Sequence, residues 1–525
     1  MKKSVWLTTL ALTAVTLSGC GGIGGLGISK DGDYIVVGIS DEVHSVDPAS
    51  GYDPGSWVIF NNVFQTLLSF QAGYTEPQLE AAEKCDFQSS GTVYECTLRD
   101  GLEFSNGNRL TSEDVKFSFD RAIRINDPAG PAPLLATIKN IVTPDDKTVI
   151  FNLKVPDANF PSKIASGAGS IVDHKVYPSD VLRESSDVVG SGPYKIDSFD
   201  DSRALLAVNE KYRGTAQIKN SGIKLTFSHG DQKALASSLE KGDIDVAYRG
   251  LSAEKIAHLS GSEGSGDEDI VVAEGGGAEV QHLVFNMKDS VVGKIGVRRA
   301  IAYVVDREAL ARDVYKGTVR PLYSIVPAGI ATHTTDFFDR YGDVPQVEKA
   351  RRELRAEGLG ADKIRLTLWS TPTRYGSSTD KALQKVAEQL NSSELFDARM
   401  QSVPFDEYEK GVAAGEYGVY VKGWLPDYPD PDNFTQPFFG EGNVLKNNYK
   451  NKDITDTIIP RTSSQTDRGD ARKDFEEIQR QVARDVPILP LWQGNQYAAS
   501  HGDITGLGWT LDSSTVSRFW ELGKT

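Results

Sequence analysis

The sequence contains few of the residues and motifs on which common catalytic sites depend. Its 525 residues include only three cysteines, three methionines and seven histidines. It has no G-x-S-x-G motif for a serine nucleophile, and no H-E-x-x-H motif or histidine pair at i, i+4 for zinc. A P-loop is also absent, as is a G-x-G-x-x-G motif that follows a strand and opens a helix. These absences favour a binding protein over an enzyme, and leave a cell-surface hydrolase as a less favoured alternative.

Long apolar runs are missing too, except near the amino terminus. Lys2 and Lys3 precede an apolar segment over residues 5–17, which is too short to span a bilayer. This pattern predicts a secretory signal peptide over residues 1–19. The ending L-S-G-C resembles a bacterial lipobox, which implies cleavage before Cys20 and attachment of lipid to its sulfur. The alternative is an ordinary signal peptide that happens to precede a cysteine.

The segment after Cys20 is rich in glycine, so residues 20–32 are expected to form a lipidated, flexible tether. We therefore expect the folded part to be anchored to the extracellular face of the cytoplasmic membrane, or to its periplasmic side where an outer membrane is present. The formal net charge of -16 argues against nucleic acid as a partner, since nucleic acid demands basic surfaces. No cofactor or metal is expected, and we expect a monomer.

With Cys20 assigned to lipid, Cys85 and Cys96 remain. They flank DFQSSGTVYE, which is typical of a hairpin that turns at Ser89-Ser90-Gly91. A cysteine pair across a hairpin in an exported protein indicates a disulfide. A zinc site is the weaker alternative, because the two thiols have no histidine nearby.

Strand-like and helix-like segments alternate along the remaining chain, which predicts an α/β protein. Residues 35–40 and 147–155 are typical of strands. Thr111 is expected to begin a helix with Asp114 as the acidic member of a capping box, and Asp306 to cap another helix.

Six segments, in order, resemble the extracellular solute-binding proteins of family 5, the dipeptide- and oligopeptide-binding components of ABC importers. The segments are SVDPA (45–49), LRDGLEFSNGNRLTSEDVKFSFDRA (98–122), GSGPY (190–194), VRRAIAYVVDRE (297–308), GWLPDYPDPDNF (423–434) and ARDVPILPLW (483–492). The resemblance implies a peptide ligand, with an ABC permease and its ATPase as partners.

The resemblance also implies a periplasmic-binding-protein-like fold of type II, with two lobes that close on the ligand and an extra domain inserted in the first lobe. By position, lobe I comprises about residues 33–61, 189–277 and 490–525. The inserted domain comprises about residues 62–188, and lobe II about residues 278–489. One of the glycine-rich loops at 261–269 and 274–279 is expected near a crossing between lobes.

Residues 423–434 form an acidic, aromatic segment whose prolines exclude a core strand or a helix. The resemblance places Asp427 on the family's residue for the amino terminus of a peptide, and a carboxylate accepts strongly from an ammonium group. Trp424 would supply an apolar or cation–π wall. The alternative is that Asp427 only caps a turn.

The opposite end of a peptide needs a cation, and the resemblance suggests Arg374 for the ligand carboxylate. The alternative is a surface arginine in a loop. The same fold serves oligosaccharides, nickel chelates and opines in other members of the family. Aromatic residues of the lobes, including Tyr428, could then stack on sugar rings, so an oligosaccharide or chelate is the second expectation for the ligand.

Overall fold

A computed structural model describes residues 34–88, 91–183, 186–261, 269–372 and 377–525, except the side chain of Ser377. Cys20 and Arg374, two of the predicted functional residues, lie outside this part of the chain. A search of the described residues finds no helix with the length and apolar character needed to cross a membrane.

Strands and helices alternate over the whole described chain, as expected. The strands are β1 (Ile35–Ile39), β2 (Leu68–Ser69), β3 (Gln78–Leu79), β4 (Ala82–Gln88), β5 (Val93–Leu98), β6 (Ile138–Val142), β7 (Thr148–Leu153), β8 (Tyr194–Asp200), β9 (Arg203–Val208), β10 (Gly222–Phe227), β11 (Val246–Tyr248), β12 (Ile270–Gly275), β13 (Val280–Phe285), β14 (Val319–Pro321), β15 (Ile364–Ser370), β16 (Phe396–Ser402), β17 (Val419–Trp424), β18 (Ile488–Gly494), β19 (Gln496–His501), β20 (Ile504–Thr505) and β21 (Gly523–Lys524). The α-helices are α1 (Pro54–Val63), α2 (Ser112–Ile125), α3 (Phe160–Ala165), α4 (Gln232–Glu240), α5 (Ala253–Leu259), α6 (Ile295–Val304), α7 (Arg307–Ala309), α8 (Asp336–Tyr341), α9 (Val347–Ala356), α10 (Ser377–Ser392), α11 (Phe405–Ala414), α12 (Gln436–Phe439), α13 (Ile459–Ser464) and α14 (Arg472–Asp485).

Three sheets organise these elements. A seven-stranded sheet, in the order β12-β19-β11-β1-β10-β9-β8, forms the part that we call lobe I. A six-stranded sheet, in the order β14-β18-β13-β17-β15-β16, forms lobe II. A four-stranded antiparallel sheet, β4-β5-β7-β6, lies in the chain between β1 and β8 and corresponds to the predicted inserted domain.

The centre of lobe II shows why its sequence is so apolar. Strand β13 has every residue buried, and it pairs on both sides, with β17 and with β18. A central strand covered on both faces reads as a nearly continuous apolar run. Gln281 and His282 are the polar exceptions in this strand, and His282 has no exposed surface.

The chain passes between the two large sheets twice. The first crossing joins β12 of lobe I to β13 of lobe II through residues 276–279, within one of the two loops expected near a crossing. The second joins β18 of lobe II to β19 of lobe I at Asn495. The amide of Gly494 donates to the carbonyl of Glu279 over 2.9 Å, so the two crossing segments lie side by side.

The predicted start of the last lobe I segment, at residue 490, falls inside a lobe II strand. Strand β18 continues to Gly494, because its pairing with β13 extends to Gln493, opposite Val280. The other predicted boundaries between the parts remain predictions.

Two local predictions are confirmed in the inserted domain. Thr111 and Asp114 form the capping box of α2, in which the backbone amide of Thr111 donates to Oδ2 of Asp114 over 2.8 Å. Cys85 and Cys96 lie opposite each other on β4 and β5 and are joined by a disulfide.

Candidate functional site

The acidic, aromatic segment 423–434 joins the end of a lobe II strand to a short helix. Strand β17 ends at Trp424, and a single 3-10 turn covers Pro431–Phe434. The side chain of Asp430 caps this turn by accepting from the amide of Asp432 over 2.8 Å. Proline fits the first position of such a turn, because its missing N–H would have no partner there.

The three acidic side chains of this segment have different environments. Asp430 forms a fork with Arg468, whose Nη2 and Nε donate to its two carboxylate oxygens over 2.6 and 2.9 Å. Asp432 is 4% exposed, and its Oδ1 has no hydrogen-bond partner among the described residues. Burial, together with the charge of Asp430, raises the pKa of Asp432 to about 7.

Asp427 lies half-buried at the contact between the lobes. Its Oδ1 accepts from the hydroxyl of Tyr52 in lobe I over 2.8 Å, and its Oδ2 accepts from Nδ2 of Asn433 over 3.2 Å. Burial raises the pKa of Asp427 to about 6, while these two hydrogen bonds act in the opposite direction.

No lysine or arginine among the described residues forms an ion pair with Asp427 within 4.0 Å. The charge of Lys163 acts on it from a distance, but Nζ of Lys163 lies 2.7 Å from Oδ2 of Asp157. Asp427 is therefore a carboxylate that faces the other lobe with neutral hydrogen-bond donors only, an arrangement that can accept a cationic group.

Asn433 holds the predicted binding residues in place. Its Oδ1 accepts from the indole N–H of Trp424 over 2.8 Å and from the amide of Asp427 over 3.1 Å. The Trp424 ring also packs edge-on against Phe438, with 5.6 Å between ring centroids. Trp424 and Asp427 are thus brought together by one amide side chain that the sequence reasoning did not single out.

Tyr428 points away from this arrangement. Its side chain is 3% exposed and belongs to the hydrophobic cluster of lobe I and the inserted domain. It also does not line the cavity that lies between the lobes, beside the two crossings of the chain. Its ring instead packs the loop of lobe II against the hydrophobic cluster of lobe I and the inserted domain.

A cavity of about 270 Å³ lies between the lobes, beside the two crossings. Leu425, two residues before Asp427, is part of its wall, so the cavity continues from the acidic loop towards the crossings. The charged side chains of its wall are Arg249 of lobe I and Glu279 of the first crossing, while both lobes contribute polar and aromatic side chains. The side chains that matter most for a ligand are Arg249, Glu279, Gln281, Tyr315, Trp492 and Tyr497.

Two of the residues at this site carry little sequence signal. Tyr52 precedes α1 in a glycine- and proline-containing turn, 375 positions from Asp427, and nothing in a single sequence links the two. Asn433 could have been noticed, since a short amide that follows Asp-Pro-Asp is typical of a side chain that bonds a turn.

The sequence also matches known proteins. Residues 76–446 match the family described as "Bacterial extracellular solute-binding proteins, family 5 Middle". The chain belongs to this family. The probable D,D-dipeptide-binding periplasmic protein DdpA of Escherichia coli is 23% identical to this family 5 protein over 499 residues, which are 90% of this chain and 91% of that protein.

Solved structures show the same fold. The periplasmic binding protein DppA from Helicobacter pylori, in complex with the peptide STSA, superposes with a TM-score of 0.76 at 21% identity, over 94% of this chain and 98% of that one. NikZ from Campylobacter jejuni, in complex with Ni(L-His), superposes with a TM-score of 0.77 at 17% identity, over 94% and 99%. The family 5 protein therefore has the two-lobed α/β fold of this family, and it is a binding protein and not an enzyme.

Proposed function

We propose that the protein captures short peptides between its two lobes and binds their amino-terminal ammonium group at Asp427. The single observation that carries the proposal is the half-buried carboxylate of Asp427, which faces lobe I without a cationic partner among the described residues. An ammonium group offers three donors and one positive charge, which a carboxylate satisfies well.

The surroundings of Asp427 support this assignment. Asn433 fixes both the Asp427 backbone and the Trp424 indole, so little reorganisation is needed when a ligand arrives. Trp424 is only partly buried and can form one wall beside the ammonium group. The proposal is also in keeping with relatives named as dipeptide-binding proteins, although other relatives are named for different ligands, such as heme.

We further propose that the protein is a lipoprotein, attached through Cys20 to the outer face of the cytoplasmic membrane, and acts as a monomer. In this position it would deliver its ligand to an ABC permease and its ATPase. The L-S-G-C ending of the signal segment supports lipid attachment. Arg374 remains a proposed partner for the ligand carboxylate, on the strength of the sequence alone.

The test is calorimetric titration of the purified protein with di- to pentapeptides, each free and N-acetylated. Acetylation removes the ammonium charge, so we expect free peptides to bind and acetylated ones to fail. Asp427→Asn should weaken binding by about 100-fold or more, because a buried ammonium group then loses its countercharge. Asp397→Asn, an exposed substitution in lobe II, is the matched control.

A chito-oligosaccharide, a cello-oligosaccharide and nickel with histidine complete the ligand set. Binding of one of these, without binding of any peptide, would show that the fold serves another ligand here. Equal binding of free and acetylated peptides would remove the ammonium group, and with it Asp427, from the recognition.

A further inference from the structure

Arg249 is the one cationic side chain among the described residues that line the cavity between the lobes. It follows β11 in lobe I and lies half-buried. The cavity wall contains one acidic side chain, Glu279, which belongs to the first crossing between the lobes. The charged side chains of the cavity wall are therefore one arginine and one glutamate.

The backbone at Arg249 is held in a conformation that arginine seldom adopts. Its φ is 63°, and Gly250 follows with a φ of 87°. A non-glycine residue in this region is strained and keeps this conformation only where its surroundings hold it there. The preceding residue, Tyr248, provides such a constraint, since it is 1% exposed and its hydroxyl donates to the Thr510 carbonyl over 2.9 Å. The turn therefore sets where the Arg249 side chain emerges.

The guanidinium group of Arg249 makes no hydrogen bond and no ion pair within 4.0 Å to the described residues. Other buried arginines behave differently. Arg121 forks onto Asp47, and Arg298 donates to three backbone carbonyls. The charges of Asp41 and Glu279 reach Arg249 and raise its pKa against the effect of burial, so the side chain is charged. Neither carboxylate accepts a hydrogen bond from the Arg249 guanidinium group.

Gln281 supplies a second, independent feature of the same cavity. Its side chain is 4% exposed, and its Oε1 has no hydrogen-bond partner among the described residues. It lies against Gly423 of the acidic loop, where an added Cβ would approach Oε1 to 2.7 Å. A buried acceptor without a partner is unfavourable, so a ligand that donates a hydrogen bond to it gains affinity.

Arg249 and Gln281 line the same cavity, and the Arg249 guanidinium group and the Gln281 Oε1 atom have no partners among the described residues. These two groups are complementary to the last residue of a peptide. That residue presents a carboxylate, which fits a guanidinium fork bidentately, and a backbone N–H, which a glutamine oxygen can accept.

We propose that Arg249 of lobe I binds the carboxylate of the ligand, with Gln281 of lobe II accepting an N–H from the same end. The ligand class is then short peptides with a free carboxyl terminus directed at the crossings. The proposal rests on the proposed function, in which the other end of the ligand is bound at Asp427. It gives Arg249 the role that the sequence suggests for Arg374, so Arg374→Gln should bind the free dipeptide like the wild type.

The test compares dialanine and alanyl-phenylalanine with their C-terminal amides and their N-acetyl derivatives by calorimetry. The proteins are the wild type, Arg249→Gln, Arg249→Lys and Arg374→Gln, with Arg365→Gln as a control because the Arg365 side chain is 90% exposed. We expect amidation to weaken binding to the wild type by at least tenfold. Arg249→Gln should weaken binding of the free dipeptide as much, and amidation should then have no further effect.

Arg249→Lys should give an intermediate loss, because lysine keeps the charge and loses the fork. The amidated dipeptide should bind Arg249→Gln and the wild type equally, which also shows that the variant folds. If amidation weakens binding to the wild type and to Arg249→Gln by the same factor, the carboxylate is bound elsewhere and the inference is wrong. In that case the ammonium site can still stand, as the acetylated ligands report on it separately. Failure of all free dipeptides to bind would overturn both proposals.

Discussion

The hydroxyl of Tyr52 in lobe I donates a hydrogen bond of 2.8 Å to Oδ1 of Asp427 in lobe II. The contact connects the two lobes at the position where we propose that the ligand ammonium group binds. Burial and the nearby carboxylate raise the pKa of Tyr52, so this hydroxyl stays protonated and remains a donor. Tyr52 therefore supplies Asp427 with a neutral donor and leaves its charge for a ligand.

The raised pKa of Asp427 predicts that peptide binding depends on pH. Only the ionised carboxylate attracts an ammonium group. The pKa of Asp427 is about 6, because burial raises it more than Tyr52, Asn433 and Lys163 lower it. Affinity should be highest near pH 7, fall by up to about tenfold per pH unit below pH 6, and fall again above about pH 8, where the peptide ammonium group loses its proton. Calorimetry between pH 5 and 8, in buffers of different ionisation enthalpy, should detect release of about half a proton on binding at pH 6.

Asp432 is the control for this prediction, because its pKa of about 7 is also raised and it lies five residues further along the same loop. Asp432→Asn should retain the fall in affinity below pH 6, whereas Asp427→Asn should bind weakly at every pH. A pH profile that changes with Asp432 and not with Asp427 would contradict the assignment.

Tyr52→Phe should move the pH dependence upward. The Tyr52 hydroxyl lowers the pKa of Asp427, and its removal takes away a hydrogen bond to a charged group, worth about 1.5–3 kcal/mol. We expect the midpoint of the binding profile to rise by about one pH unit or more, with a much smaller change in affinity at pH 8. Tyr74→Phe is a matched control, since Tyr74 is largely exposed. A midpoint that stays in place or moves down would show that the contact is absent in solution.

The features that the sequence predicted well are local or carried by the order of motifs. The capping box of Thr111 and Asp114 spans three residues, and Cys85 and Cys96 face each other across one hairpin. Six segments in order were enough to identify the family and, with it, the two-lobed fold. In each case the information lies within a short stretch of chain or in the arrangement of such stretches.

The remaining features depend on which surfaces meet in three dimensions. Asp427 follows from the motif, but its partner Tyr52 comes from the opposite lobe. Tyr428 lies in a loop that is predicted to bind the ligand, yet its side chain is buried in the hydrophobic cluster of lobe I and the inserted domain. Arg249 stands out only because its guanidinium group lies beside a cavity and has no partner within the part of the chain that the structure describes. The burial of a side chain, and whether it has a partner, cannot be predicted from the spacing of residues in a sequence.

A buried ion pair connects lobe I to the inserted domain and gives a stability prediction. Nη1 and Nη2 of Arg121 donate to the two carboxylate oxygens of Asp47 over 2.7 and 2.6 Å, and both side chains are at most 3% exposed. Asp47→Asn leaves the guanidinium charge buried without its countercharge, so the free energy of unfolding should fall by about 3–5 kcal/mol. Denaturant unfolding measures this change.

The matched control is Asp397→Asn, which removes one partner of the exposed pair formed by Arg365 and Asp397 at 3.8 Å. Exposed pairs contribute about 0–1 kcal/mol, so this variant should unfold almost like the wild type. If Asp47→Asn lost no more stability than Asp397→Asn, the fork would not be a major contact between the two parts.

His282 gives a prediction for stability in acid. It has no exposed surface, packs edge-on against Phe438 at 5.4 Å, and neither ring nitrogen has a hydrogen-bond partner among the described residues. Burial lowers the pKa of His282 to about 3 from its ordinary value of 6.5. Between these values the unfolded chain binds a proton that the folded protein excludes, so stability should fall as the pH drops from 6.5 towards 3.

His282→Leu should remove this contribution, and the stability of the variant relative to the wild type should rise as the pH is lowered. The limit is about 1.4 kcal/mol per pH unit, so the gain between pH 8 and 4.5 should be about 2–3 kcal/mol. The raised pKa values of Asp427 and Asp432 act in the opposite direction, but both residues are present in both proteins and cancel in the difference. A constant difference between wild type and His282→Leu across this range would mean that the imidazole is protonated in the folded protein as readily as in the unfolded chain.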